Sequence, residues 1–357
     1  MACGAATGAW GEVALTGYTS GNFRWRDVVG NLYADAYRAG YSYTQAQVSV
    51  TFSTNATVLT GTLTARNLKP NFAYQLKLSG LPEDFPSANE NLGFSGRWWK
   101  EEWNGVQWAN GWNLNNKGDG SFPNPNDDWY AAHRDDPDTT GTSPTGLKYR
   151  FTGYRPFAYF ITDEFGDATL SFSMLSTYHV LFKTSQRTPV AGDGPVVSHA
   201  FDPDPALHPA YDVDYQPGNG EVFGEWERLP HEKIYIAPGV YDLDFLLTEE
   251  SFHESGDGYG FWAHAMYGRA RFAIAAPVLS TSVEPADRGV ISPAGTTTLS
   301  MGSTTNVTVS ADPYWTVTNL LVDGVSVGST NAWLPAEVTN HTSVVAQLGP
   351  LLAANGV

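Results

Sequence analysis

The sequence predicts an all-β protein: a large β-sandwich with long aromatic and acidic loop insertions, followed by a small C-terminal β module. Three observations lead to that class. Through residues 47–80, QVSVTFSTNATVLTGTLTARNLKPNFAYQLKLSG, apolar and polar residues alternate in two-residue steps, as half-buried strands do. Asn, Thr and Gly occupy the breaks between alternating runs, and strand, turn and strand recur with long excursions between them, which is the pattern of a sandwich. Helical periodicity is nearly absent, residues 30–40, GNLYADAYRAG, being the one short helical candidate.

Residues 47–80 hold two or three strands. Residues 154–185, YRPFAYFITDEFGDATLSFSMLSTYHVLFKTS, read as a hairpin turning at 163–167, with Phe157, Tyr159 and Ile161 facing one side. Pro238 and Gly239 precede the strand VYDLDFLLTEESFH, and GFWAHAMYGRARFAIAAP supplies the last strand of the large domain. The expected division is a sandwich domain over 1–277, with a Trp-rich insert at about 94–146 and an acidic insert at about 190–232. A second β domain covers 278–348 and a tail 349–357.

Composition bounds the function. The chain of 357 residues carries 37 acids against 20 bases, a net charge of −17, which argues against a nucleic-acid partner because phosphate binding needs a basic face. The same excess suits hard cations, calcium above all. No apolar run approaches the roughly 18 residues of a membrane helix, and no basic segment followed by an apolar one opens the chain. The single cysteine, Cys3, makes no internal disulfide. Aromatics at 13 % against charged residues at only 16 % suit a secreted β protein, with Met1 standing where a signal peptide was removed; a cytosolic origin stays open.

Two segments resemble known families. LKPNFAYQLKL, residues 68–78, resembles the tyrosine-corner segment of fibronectin type III and immunoglobulin-like domains, with Leu68, Pro70 and Tyr74 in the Leu, Pro and Tyr positions. The resemblance implies that the tyrosine hydroxyl closes a corner on the backbone just upstream. Residues 289–348 resemble the bacterial InlB B-repeat family. The landmarks are Gly289 and Pro293, Gly302 before NVTVSADPYW, LLVDGVSVG over 320–328, and the closing strand after VTNHT. That resemblance implies a spacer of secreted bacterial surface proteins without chemistry of its own.

Three constellations are candidate sites. Residues 95–116, SGRWWKEEWNGVQWANGWNLNN, place five tryptophans in 22 residues with no clean two-residue or 3.6-residue period. Trp98, Trp99, Trp103, Trp108 and Trp112, with Trp129 nearby, form a mini-core that orders a polar loop, offer indole faces to pyranose rings with Glu101, Glu102, Asn104 and Asn110 supplying hydrogen bonds, or make a protein contact surface. As neighbours on an extended chain, Trp98 and Trp99 point to opposite sides. The acidic stretch offers Asp202, Asp204, Asp212, Asp214 and Glu221 as calcium ligands, against the reading of a solvated loop. His179, Glu249, His253 and His264 could converge on zinc or copper, Glu249 and His253 sharing a strand face, against the reading that each satisfies a local hydrogen bond.

No P-loop, dinucleotide fingerprint or H-E-x-x-H is present. Three function classes result. The first is a secreted or cell-surface, non-catalytic structural or adhesive protein that binds neighbouring subunits or surface polysaccharide, as in a self-assembling extracellular subunit. The second is a carbohydrate-binding module using the Trp-rich insert. The third is a metal-dependent extracellular enzyme.

Overall fold

The computed structural model describes residues 9–84, 86–114, 125–175, 179–183, 196–197, 209–212, 222–227, 235–251, 258–259, 262–335 and 337–351. They are predominantly β, as the alternation predicts, and they fall into two compact units. One comprises Met1–Asn55 with Leu59–Ala273, the other Ala56–Val58 with Ile274–Val357.

The larger unit is built on two sheets. The short sheet runs in the order Trp10–Ala14, Gln47–Ser53, Thr60–Arg66, Ala168–Ser173, all antiparallel. The long sheet runs Thr16–Gly17, Ala263–Ile274, Gly239–Glu249, Ala73–Gly80, Tyr149–Ile161, Arg97–Trp103, Trp108–Asn113. Strand alternation puts Val48, Val50, Phe52, Leu63 and Phe172 of the short sheet inside, facing Leu76, Leu78, Leu243, Phe245 and Leu247 of the long one. Phe245 is the centre of this interior, its ring 5.3 Å from Phe52 and 6.3 Å from Phe172. Each such side chain contributes about 1.5 to 3 kcal/mol by leaving water. A further sheet joins His179–Lys183, Val222–Glu227 and Val196–Val197.

Three local expectations need correction. The strands on either side of residues 163–167 do not form a hairpin: Tyr149–Ile161 lies in the long sheet and Ala168–Ser173 in the short one, so the turn is a corner between sheets. Asp163 Oδ1 accepts the N–H groups of Phe165 and Asp167, each at 2.9 Å, and Gly166 (φ +80°) passes so close that a Cβ would stand 2.0 Å from the Leu68 carbonyl oxygen. Phe157 does not share a side with Tyr159 and Ile161. A bulge where Leu76 pairs Ala158 but Lys77 pairs Pro156 turns Phe157 into the sandwich, while Tyr159 and Ile161 pack on Val28 and Val29. The Trp-rich segment is not a loop insertion but a hairpin, Arg97–Trp103 and Trp108–Asn113, that extends the long sheet.

Among the described residues α-helix is confined to Asp35–Gly40, inside the expected stretch, and to Pro86–Phe94 and Pro125–His133, with one 3-10 turn at Tyr43–Gln45. The last two α-helices each open on a proline, whose missing N–H costs nothing at the first helical position. No described helix is long and apolar enough to cross a membrane.

The smaller unit contains the sheet Gly295–Thr298, Val278–Glu284, Thr342–Pro350, Trp315–Val322, Val325–Gly328 and a second sheet of Gly289–Ser292, Val307–Ala311 and Ala332–Trp333. Leu279, Ile291, Val307, Leu320, Val344 and Ala346 form its core.

Candidate functional site

The hairpin sorts its tryptophans by face. Trp98 is fully buried, stacked on Tyr130 with centroids 3.6 Å apart and planes 11° apart, and its Nε1 donates to Asp127 Oδ1 at 2.9 Å. Tyr149, Phe151, Phe94 and the half-buried Trp129 complete that cluster against the helices Pro86–Phe94 and Pro125–His133. Lys100, on the same side, lies over Trp129 and Tyr149 with Nζ 5.2 and 5.1 Å from their centroids. This face is the mini-core.

Trp99 and Trp103 occupy the other face, and both are half-buried. Trp108, also half-buried, is the register partner of Trp103, and their rings meet at 5.3 Å and 68°. The two indoles meet edge to face rather than in a flat stack. The Arg150 guanidinium lies 5.3 Å from the Trp108 ring and donates to Glu101 Oε2 through Nε at 2.9 Å and through a terminal nitrogen at 2.5 Å. Trp99 meets Trp262 edge-on at 5.4 Å, and Trp262 meets the exposed His264 at 5.6 Å. His264 leads on to Tyr18 at 5.7 Å and Tyr18 to Tyr267 at 5.0 Å, so aromatic rings continue from the hairpin towards the opposite end of the long sheet.

Side-chain hydrogen bonds fix the turn and the Trp103 ring. Asn104 Oδ1 accepts the N–H groups of Val106 and Gln107 at 3.0 and 2.9 Å, which fixes the hairpin turn. Trp103 Nε1 donates to Thr142 Oγ1 at 2.9 Å. Thr142 is itself set by Asp138, whose Oδ2 accepts the N–H groups of Thr142 and Ser143 at 2.9 and 2.8 Å. Desolvation pushes the Asp138 carboxyl up, but the Thr140 hydroxyl and the N–H groups of Thr140, Ser143 and Thr142 hold it down at about 2. Of the expected polar partners, Glu101 faces this side, Asn104 is committed to the turn, Glu102 lies 3.6 Å from Lys148, and Asn110 (φ +54°) is at the hairpin bulge. Trp112 pairs with Lys100 in the backbone register. Arg150, Thr142 and Trp262 belong to the arrangement yet stand 26 or more residues beyond the Trp-rich stretch of 95–116, so reading along the chain misses them.

The histidine and carboxylate set is not brought together. Glu249 and Glu250 project to opposite sides of their strand, as adjacent residues do. Glu249 reaches Lys69 at 2.5 Å, and Glu250 reaches Lys77 at 2.7 Å, with Thr248 Oγ1 donating to Glu250 at 2.8 Å. His264 is on the outer side with Trp262, His179 sits on a strand of another sheet where it pairs Glu227, and His253 lies outside the described residues. Among the described residues no three His, Cys, Asp or Glu side chains gather as metal ligands. Asp202, Asp204, Asp214 and Glu221 also lie outside the described residues, and Asp212 is exposed.

The surroundings of Glu249 are unusually polar for a sandwich interior. Its Oε1 accepts the Tyr43 hydroxyl and Lys69 Nζ, each at 2.5 Å, and its Oε2 accepts the Arg24 N–H at 2.6 Å. Tyr43 and Tyr74 hydroxyls lie 2.9 Å apart, and the Tyr74 hydroxyl accepts the Lys69 N–H at 3.1 Å. Comparison with family models, with curated proteins and with solved structures gives no match.

Proposed function

We propose that this is a secreted or cell-surface, non-catalytic adhesive protein, and that its contact surface is the Trp99, Trp103 and Trp108 face of the hairpin with polysaccharide as ligand. One observation carries the reading: the same two strands bury Trp98 completely and leave Trp99, Trp103 and Trp108 half-exposed on the other side. Anchoring therefore falls to one face. The opposite face keeps indole surface in water beside the Arg150 and Glu101 pair, an apolar platform with an orienting polar group of the kind that pyranose rings need. Affinity electrophoresis against a panel of soluble polysaccharides tests it. Retardation by at least one polymer, lost in Trp103→Ala and Trp108→Ala while the thermal transition persists, is the expected result. No retardation by any polymer with the fold intact would exclude the ligand class.

A neighbouring subunit is the second reading. It is favoured by the place of Trp108–Asn113 at the end of the long sheet, where among the described residues no further strand pairs with it, as strand addition requires. Concentration-dependent association by sedimentation, abolished by a proline at Ala109, would favour it over the polysaccharide.

A further inference from the structure

We propose that Lys69 and Glu249 condense within the folded protein to form an internal amide cross-link. The two residues stand 180 positions apart and meet only because Glu249 is the register partner of Tyr74, whose hydroxyl in turn receives the Lys69 N–H at 3.1 Å. Both side chains are fully buried, with Nζ 2.5 Å from Oε1. The lysine backbone is pinned on its other side as well, its carbonyl accepting the Thr162 hydroxyl at 2.6 Å. The reacting groups are therefore held without freedom to part, the condition under which an amine and a carboxyl react as one molecule.

Aromatic rings wall the lysine. Nζ lies 4.2 Å from the Trp25 ring centroid, 4.7 Å from Phe72, 5.4 Å from Tyr43 and 5.6 Å from Phe23, and the Arg24 carbonyl accepts a further N–H. A charged pair in such a box is held against a large desolvation cost, whereas an amide is neutral. Burial pulls the lysine down to about 8 despite the attraction of Glu249, which brings the free amine within reach near neutral pH.

The chemistry balances without any added reactant. A proton passes from Nζ to Oε1, and the free amine attacks Cδ. Oε2, which accepts the Arg24 N–H at 2.6 Å, carries the negative charge of the tetrahedral adduct. The Cδ–Oε1 bond then breaks, and Oε1 leaves as water with a second proton from Nζ, relayed by the Tyr43 hydroxyl at 2.5 Å. An Nζ–Cδ bond has formed, a C–O bond has broken, and the ion pair has become an amide and one water. In a chain whose single cysteine leaves it without internal disulfides, this bond would close a loop of the sandwich covalently.

Mass spectrometry of the denatured full chain tests the proposal. The expected mass is that of the sequence less one water, and digestion should yield a branched peptide joining the segment of Lys69 to that of Glu249. Lys69→Arg should return to its full sequence mass. A wild-type chain at full sequence mass, with Lys69 open to amine-labelling reagent after denaturation, overturns the proposal and leaves an ion pair. So does a water loss that persists in Lys69→Arg. The wild-type measurement decides the matter even if the variant does not fold.

Discussion

Trp98 and Trp99 are chain neighbours with opposite fates: the first lies flat on Tyr130 at 3.6 Å, out of contact with water, and the second meets Trp262 edge-on at 5.4 Å, half in solvent. Strand geometry explains the division, because successive side chains take opposite faces of a sheet. Trp98→Ala should therefore cost about 3 to 5 kcal/mol of stability, as loss of a buried aromatic does. Trp103→Ala and Trp108→Ala should each cost only about 1 to 2 kcal/mol, since half-exposed rings gain part of the transfer energy. Urea denaturation separates the two classes, and equal losses at all three positions would contradict the two-faced hairpin.

Gly111 lies beneath Trp99, and a Cβ there would stand 2.4 Å from its Cζ2. Gly111→Ala should push the indole off its seat against Trp262, at a cost of about 1 to 3 kcal/mol. The near-ultraviolet circular dichroism of the tryptophans should change while the far-ultraviolet spectrum does not. An unaltered near-ultraviolet spectrum would mean that Trp99 is not fixed there.

The corner formed by Tyr74 gives a third expectation. Its hydroxyl accepts the buried Lys69 N–H and lies 2.9 Å from the Tyr43 hydroxyl. Tyr74→Phe keeps the ring and strands that N–H, which should destabilise the protein by about 1 to 3 kcal/mol. Denaturation midpoints identical to wild type would show that the corner is closed by packing alone.

How much of this was readable along the chain depends on distance and on bulges. The strands Gln47–Ser53 and Thr60–Arg66 alternate cleanly and were legible at once, since their registers run without interruption. The hairpin was not. Its register shifts between Lys100 and Glu102, opposite the left-handed Asn110, so Trp108 pairs Trp103 while Trp112 pairs Lys100, and the two-residue period disappears from the sequence. The opposite orientations of Trp98 and Trp99 were legible because adjacency alone decides them. The pairing of Lys69 with Glu249 had only faint signals, a lysine between Leu68 and Pro70 and a glutamate ending an apolar strand, and 180 intervening residues conceal it.

Asp27 gives the protein a stability that depends on pH. Its carboxyl is fully buried and accepts hydrogen bonds from the N–H groups of Val29 and Asn31, the side-chain amides of Asn31 and Asn71, and the Tyr211 hydroxyl. Desolvation outweighs these bonds and raises it from 3.8 to about 6. Below pH 4 the folded and unfolded carboxyls are both protonated. Between about 4 and 6 the folded state retains a proton that the unfolded state has lost, so this group's contribution falls as pH rises, by about 3 kcal/mol in all. Asp27→Asn should lack that slope, whatever its absolute stability. Parallel pH profiles of wild type and variant would contradict the assignment.

The proposed binding of polysaccharide at the Trp103 and Trp108 pair is tested most directly by titration calorimetry of wild type against the Trp103→Ala/Trp108→Ala double variant. With a polymer that the wild type retains, the double variant should lose affinity by about tenfold or more, equivalent to about 1.4 kcal/mol, while its urea transition stays cooperative. A double variant that binds as tightly as wild type would contradict the account.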